Sequence, residues 1–304
     1  MSVKKNIVLL TNDVETTSIV NGGLRTETGL KVWREGMPRL LELYEKHDIK
    51  ATFFFIADFA KDFPEIVKMI QPYGHEVACH GLTHDHKKAF DVLDFDEQKR
   101  HLSEAKCILE DISGEEVVTF RAPALRVNEF TPQALIETGF KIDSSVAPQR
   151  IDMFMSLGSK KKLAWLKAPR TPYFVSKTNL ARMGNTNLLE APVSSFAFPY
   201  IGTFMRISPV LNKITRYFLY LETKNTTKPV NFLIHPNELI DEESLNLRVE
   251  RRSENFISYL LADVLRKKLK QRNLGIPARD LFEKELKYWK RKNYNFQTIK
   301  ETYL

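Results

Sequence analysis

The chain has 304 residues, 43% hydrophobic and 28% charged, with 20 Phe, 10 Tyr and 3 Trp, a composition that builds a sizeable core and excludes a disordered chain. No apolar run reaches the roughly 18 residues of a membrane span, Ile7 to Leu10 is too short for a signal-peptide core, and two cysteines imply no disulfide framework, which together point to the reducing cytoplasm. The formal net charge of +8 resides in Arg248 to Leu304, where 15 Lys and Arg face 7 Asp and Glu, while the rest of the chain is neutral.

In chain order, short apolar or β-branched runs predict strands at Asn6–Thr11, Ala51–Ile56, His75–Cys79, Val117–Phe120, Phe140–Asp143, Leu188–Pro192 and Val230–His235. Between them, apolar residues spaced by three and four predict helices around Leu40, Leu41 and Tyr44, around Ile66, Val67 and Ile70, and around Leu102, Ala105, Ile108 and Leu109. Strands separated by helices pair in parallel, and about seven such units favour one barrel over two domains. Val146 to Asn187 lack clear periodicity and carry several prolines, the pattern of a long excursion near a barrel mouth. Glu254 to Arg272 predict an amphipathic helix within a basic helical C-terminal region that begins at about residue 248, and Tyr294-Asn295-Phe296 a last strand or covering segment.

Polar clusters follow five of the strands. Asp13-Val14-Glu15 puts two carboxylates on one side of an extended chain, at the strand end where barrel active sites lie. Cys79-His80-Gly81-Leu82-Thr83-His84 places two imidazoles four residues apart around a glycine, so both can converge on one metal ion. One carboxylate can complete such a site while the other serves as a base, although either cluster alone also fits a polar loop. Arg121, in Phe120-Arg121-Ala122-Pro123, can hold a carboxylate bidentately or form a surface ion pair. Asp143-Ser144-Ser145 ends the fifth strand, and His235 ends the last one before a proline, a position more often structural than catalytic.

In this order along the chain, and with Gly74-His75-Glu76-Val77 and Ala51-Thr52-Phe53-Phe54, these clusters resemble the polysaccharide deacetylase family, the NodB-homology or carbohydrate esterase family 4 group, over about Asn6 to Leu239. The resemblance implies an α/β fold, a distorted (β/α)7 barrel holding one divalent metal ion, usually zinc. It implies Asp13 as catalytic base, Glu15, His80 and His84 as metal ligands, Arg121 as the residue orienting Asp13, and His235 as general acid. Three places depart from the family pattern: Thr11-Asn12-Asp13-Val14-Glu15 replaces Thr-Phe-Asp-Asp-Gly, Leu125 stands where an aromatic is usual, and the Asp-Trp motif that partners the acid histidine is missing. That leaves Asp143 as the expected carboxylate behind His235.

The resulting expectation is a metal-dependent hydrolase removing an acetyl or other small acyl group from an N-acylated amino sugar, a cytoplasmic or lipid-linked glycan precursor. An allantoinase-like or cyclic-imide-like hydrolase of a non-sugar C–N bond is the alternative, and a non-catalytic glycan- or membrane-binding barrel is a third. The basic C-terminal region suits either an anionic membrane surface or simple packing on the barrel with its charges in water. Without zinc-finger spacing, an RNA-binding aromatic motif or a basic repeat, no nucleic-acid partner is expected.

Overall fold

A computed structural model describes residues 6–148, 165–243 and 266–304. Its strands are β1 (Ile7–Val14), β2 (Thr52–Phe55), β3 (Glu76–Cys79), β4 (Thr119–Phe120), β5 (Ile142–Asp143), β6 (Tyr173–Ser176), β7 (Asn179–Met183), β8 (Leu189–Glu190), β9 (Ser195–Phe196), β10 (Phe198–Pro199), β11 (Val230–Ile234) and β12 (Asn295–Gln297). Seven of them pair in parallel in the order β11-β1-β2-β3-β4-β5-β8, and these are the seven strands expected from the sequence. Between β8 and β11 the curled sheet is joined irregularly: the Ser194 N–H donates to the Asn231 carbonyl at 2.9 Å, and the Asn231 side-chain amide donates to Ala191 O at 3.1 Å. The fold is a distorted (β/α)7 barrel.

Side-chain alternation along the strands sorts the apolar residues into two layers. Ile7, Leu9, Phe54, Ala78 and Ile142 pack together inside the barrel. Val8, Leu10, Val14, Phe53, Phe55, Val77 and Cys79 belong to the larger layer beneath the helices, with Leu40 and Tyr44 of the helix Met37–Lys46 and Leu102, Ala105 and Leu109 of the helix Phe95–Ser113. Gln98, on that second helix, binds the carbonyls of Phe90 and Leu93 at 2.9 and 3.0 Å and so ties the loop after β3 to it.

Two expectations need correction. β1 continues through Val14, past the expected end at Thr11, because Thr11 to Val14 remain in register with Thr52 to Phe55. Within the stretch expected to be irregular, β6 and β7 form an antiparallel hairpin that adds to the edge of β8, and the buried Tyr173 hydroxyl donates to Leu180 O at 2.6 Å. Residues 149–164 of that stretch lie outside the described residues. The apolar side assigned to the helix at Glu254–Arg272 (Phe256, Ile257, Leu260, Leu261, Val264 and Leu265) lies outside the described residues, while Arg266–Lys270 are helical. Further along the basic region, Trp289 is 1% exposed and donates to the Tyr200 hydroxyl at 2.8 Å, so this aromatic packs on the barrel.

The C-terminal segment also closes the floor of the barrel. β12 pairs with the first residues of β1, and the helix Ile299–Tyr303 follows it. The Ile299 N–H donates to the Thr52 hydroxyl and the Lys300 N–H to the buried Glu76 carboxylate, both at 2.9 Å, which satisfies orphan donors of the helix start. Ile299 itself joins the interior cluster. No described helix is long and apolar enough to cross a membrane.

Candidate metal centre and active site

The parallel ladder carries on past the strand ends: His80 N–H donates to Phe55 O at 2.8 Å, Arg121 N–H to Cys79 O at 2.9 Å and Ser144 N–H to Phe120 O at 2.9 Å. Asp13, His80 and Arg121 therefore reach the C-terminal rim of the barrel on its inner side. Cys79, one residue before His80, faces the opposite way into the layer beneath the helices, where its sulfur accepts the Gly81 N–H at 3.3 Å and burial pushes its thiol up to about 12. Gly81 has φ +83°, the left-handed region that glycine tolerates, and a Cβ there would press on Pro123 and Phe90 at 3.2 and 3.3 Å. This turn brings His84 back beside His80, their rings 5.9 Å apart.

Glu15, His80 and His84 present ligand atoms that all lie within 4.8 Å of one another. Glu15 Oε2 is 2.6 Å from His84 Nε2 and 4.0 Å from His80 Nε2. His80 Nδ1 is 2.9 Å from the Arg121 carbonyl, an acceptor only, so Nδ1 carries the proton and Nε2 offers its lone pair to the shared space. Burial, with His84 close by, lowers His80 to about 4 and keeps that lone pair free. Burial opposes the charged forms of Glu15 and His84 too, but their mutual contact wins, lowering the carboxyl and raising the imidazole. Two imidazoles and a carboxylate are the donor set of hydrolytic zinc sites, and the residues present fit one divalent cation.

Asp13 sits beside this group without joining it. Its Oδ1 accepts from Arg121 NH1 at 2.8 Å, whereas Oδ2 faces His80 Nε2 at 3.7 Å and His235 Nε2 at 3.8 Å. Arg121 is fully buried and held on every edge: Nε donates to Ser144 O at 2.9 Å, NH2 donates to the Ser144 hydroxyl at 2.8 Å, and the guanidinium lies 4.2 Å above the Phe54 ring. Burial alone would raise the Asp13 carboxyl, but the Arg121 guanidinium and the two histidines outweigh it, so Asp13 stays ionised.

His235 follows β11, and its carboxylate partner is Glu238, a residue that sequence reasoning missed. Nδ1 of His235 is 3.0 Å from Glu238 Oε1, whose other oxygen takes Nε of Arg206 at 2.5 Å. Arg206 is in turn fixed by the carbonyls of Lys270 and Arg272, each at 2.8 Å. The signal was present in His235-Pro236-Asn237-Glu238, a capping-box spacing with proline at the first turn, which folds Glu238 back onto the histidine. Gly202 permits this packing, since a Cβ there would lie 2.7 Å from Glu238 Oε1. Burial disfavours a charged His235, but the hydrogen bond to Glu238 and the charges of Glu15 and Asp13 prevail and raise it to about 9.

Asp143 is not that partner. It accepts from the Ser145 hydroxyl at 2.7 Å and pairs with the buried Glu190, and burial raises both carboxyls. Ser145 in turn accepts the Ala122 N–H at 2.9 Å, so Asp143 shapes the backbone after Arg121. Asp13, Glu15, His80, His84, Arg121 and His235 thus converge, with Asp143 outside the cluster.

Residues 3–142 match the family model described as polysaccharide deacetylase. A peptidoglycan deacetylase of Helicobacter pylori (strain ATCC 700392 / 26695) is 31% identical over 118 residues, 39% of this chain and 39% of that protein. A solved Mycobacterium smegmatis chain assigned as a polysaccharide deacetylase superposes with a TM-score of 0.58 at 20% identity, covering 98% of this chain and 94% of its own. The crystal structure of Puue allantoinase gives a TM-score of 0.62 at 16% identity, covering 99% and 90%. The two structural likenesses show the shared fold, and the matches to the first curated relatives span less than half of those proteins' lengths.

Proposed function

From the match of residues 3–142 to the polysaccharide deacetylase family model, we propose that this chain is a family member and a metal-dependent hydrolase cutting a linear amide C–N bond. It removes an acetyl or other small acyl group from an N-acylated amino sugar. One observation carries the reading: the cluster of Glu15, His80 and His84, the Arg121-held Asp13 carboxylate and the His235 ring share one end of the barrel.

Glu15, His80 and His84 would hold the ion, which we take to be zinc from the donor set. When bound, a divalent cation supplies a Lewis acid that polarises a carbonyl and acidifies water. Asp13 does the proton abstraction. Its Oδ2 is the oxygen that Arg121 leaves unused, and it points into the space between His80 and His235. Arg121 keeps this carboxylate oriented and charged. The Glu238 carboxylate accepts from Nδ1 and favours the charged imidazolium form of His235, and in that form Nε2 carries the proton delivered to the departing nitrogen. An amide nitrogen leaves poorly without such an acid.

The substrate in this reading is a cytoplasmic glycan precursor carried on a lipid or a nucleotide. Metal-stripped and zinc-reloaded protein should be assayed for acyl release from N-acetyl and N-formyl amino-sugar precursors. Zinc-dependent release supports the proposal; zinc-dependent ring opening of a cyclic ureide without acyl release would replace it.

A further inference from the structure

The helix Pro209–Thr223 is built inside out. The face turned into the protein carries Asn212, Thr215, Leu219 and Thr223, three of them polar. The opposite face shows Val210, Leu211, Ile214, Tyr217, Phe218 and Leu221 to solvent, each between 39% and 67% exposed. Their spacing by three, four and seven places all six within one stripe about 120° wide at 100° per residue. A surface helix ordinarily presents the reverse pattern, and a contiguous apolar patch on this scale marks a contact surface.

Charge beside the stripe selects what it touches. The helix Ile276–Arg291 packs along one flank: Arg216 binds Glu285 at 2.8 Å and lies 3.8 Å from the Tyr288 ring, while Lys292 lies 4.6 Å from the Tyr220 ring. Lys284, Arg291 and Lys292 of this neighbouring segment are exposed. Lys213 lies on the helix margin between the stripe and that flank, and Lys224 follows the helix as its C-cap, both exposed. Glu222, at the other margin, is neutralised by Arg170 and Lys228, each at 2.5 Å.

We propose that this face, an apolar stripe beside a row of cations, docks on an anionic lipid surface. Aliphatic and aromatic side chains with flanking lysines suit the boundary between headgroups and acyl chains. A second copy is a poorer occupant on two grounds. The six side chains expose on the order of 500 Å², below the roughly 800 Å² per partner of a stable interface. An antiparallel pairing would also bring the two cationic rows close together. The inference is independent of the hydrolase chemistry, because it concerns a face outside the residues assigned to catalysis.

Co-sedimentation of the full chain with vesicles of phosphatidylglycerol and phosphatidylcholine in equal parts tests it. Binding should rise with phosphatidylglycerol, be weak on pure phosphatidylcholine and fall as salt is raised. Ile214→Ser with Tyr217→Ser, two exposed positions, should weaken binding roughly tenfold or more while leaving the circular dichroism spectrum unchanged. Lys213→Gln, Lys224→Gln and Arg291→Gln together should flatten the salt dependence. Absence of wild-type binding at low salt overturns the proposal, as does full binding by the folded Ile214/Tyr217 variant. Concentration-dependent dimers in sedimentation velocity that the same variant disperses would assign the face to a second copy and overturn it equally.

Discussion

Asp13 and Arg121 stand 108 positions apart in the chain, yet a guanidinium nitrogen of one meets a carboxylate oxygen of the other at 2.8 Å. Both are buried, and Arg121 has no other carboxylate partner among the described ion pairs. Asp13→Asn is expected to keep the fold and the bound metal but lose turnover by roughly 10²- to 10⁴-fold, since the amide matches the shape and cannot take a proton. Metal content by atomic absorption, read beside acyl release, checks this. Near-normal turnover with full metal would remove Asp13 as base.

Metal retention separates ligands from neighbours. His80→Ala and His84→Ala should each lose most of the bound zinc, while Cys79→Ser retains it because that sulfur lies in the layer beneath the helices. Stoichiometric zinc in both histidine variants would show the ligand assignment to be wrong.

The role of His235 is testable through its leaving group. An ester departs more easily than an amide, so His235→Ala should slow amide cleavage by a larger factor than ester cleavage. Equal losses would mean that His235 positions substrate instead of protonating the leaving atom.

Glu238 sets the pH range. With Glu238 in place His235 is raised to about 9, so in the proposed mechanism the acid form should persist through neutral pH and activity should decline as pH rises through about 9. Glu238→Gln should move that basic limb downward, toward the ordinary histidine value of about 6.5. Asp143→Asn should leave the limb where it is, because Asp143 pairs with Ser145 and Glu190. The Gln variant also deprives the buried Arg206 of its charge partner, so its stability should be followed by thermal unfolding. A pH–rate profile of the folded variant that still breaks near 9 would refute the role of Glu238.

Ile299 closes the barrel floor from the far end of the chain. Ile299→Ala should destabilise the fold by about 2–5 kcal/mol, the range for emptying a buried aliphatic site. Chemical denaturation measures this, and a loss under 1 kcal/mol would show that the floor does not depend on that side chain.

The sequence by itself carried the seven barrel strands, because each is a short apolar run whose propensity and flanking turns act locally. It also carried the residues at the strand ends, since parallel strands put their C-terminal residues on one rim whatever the details of packing. The helix–turn partner of His235 was different. Glu238 and Asp143 are both acidic residues near strand ends, and choosing between them required the course of the backbone after Pro236, which Arg206 and Gly202 fix from another segment. The same limit applies to the hairpin β6–β7, whose short strands gain order from the edge of β8. The helix Pro209–Thr223 depended most on tertiary context. Its amphipathic pattern is local, but which face turns inward is set by the neighbours, and here they bury the polar face.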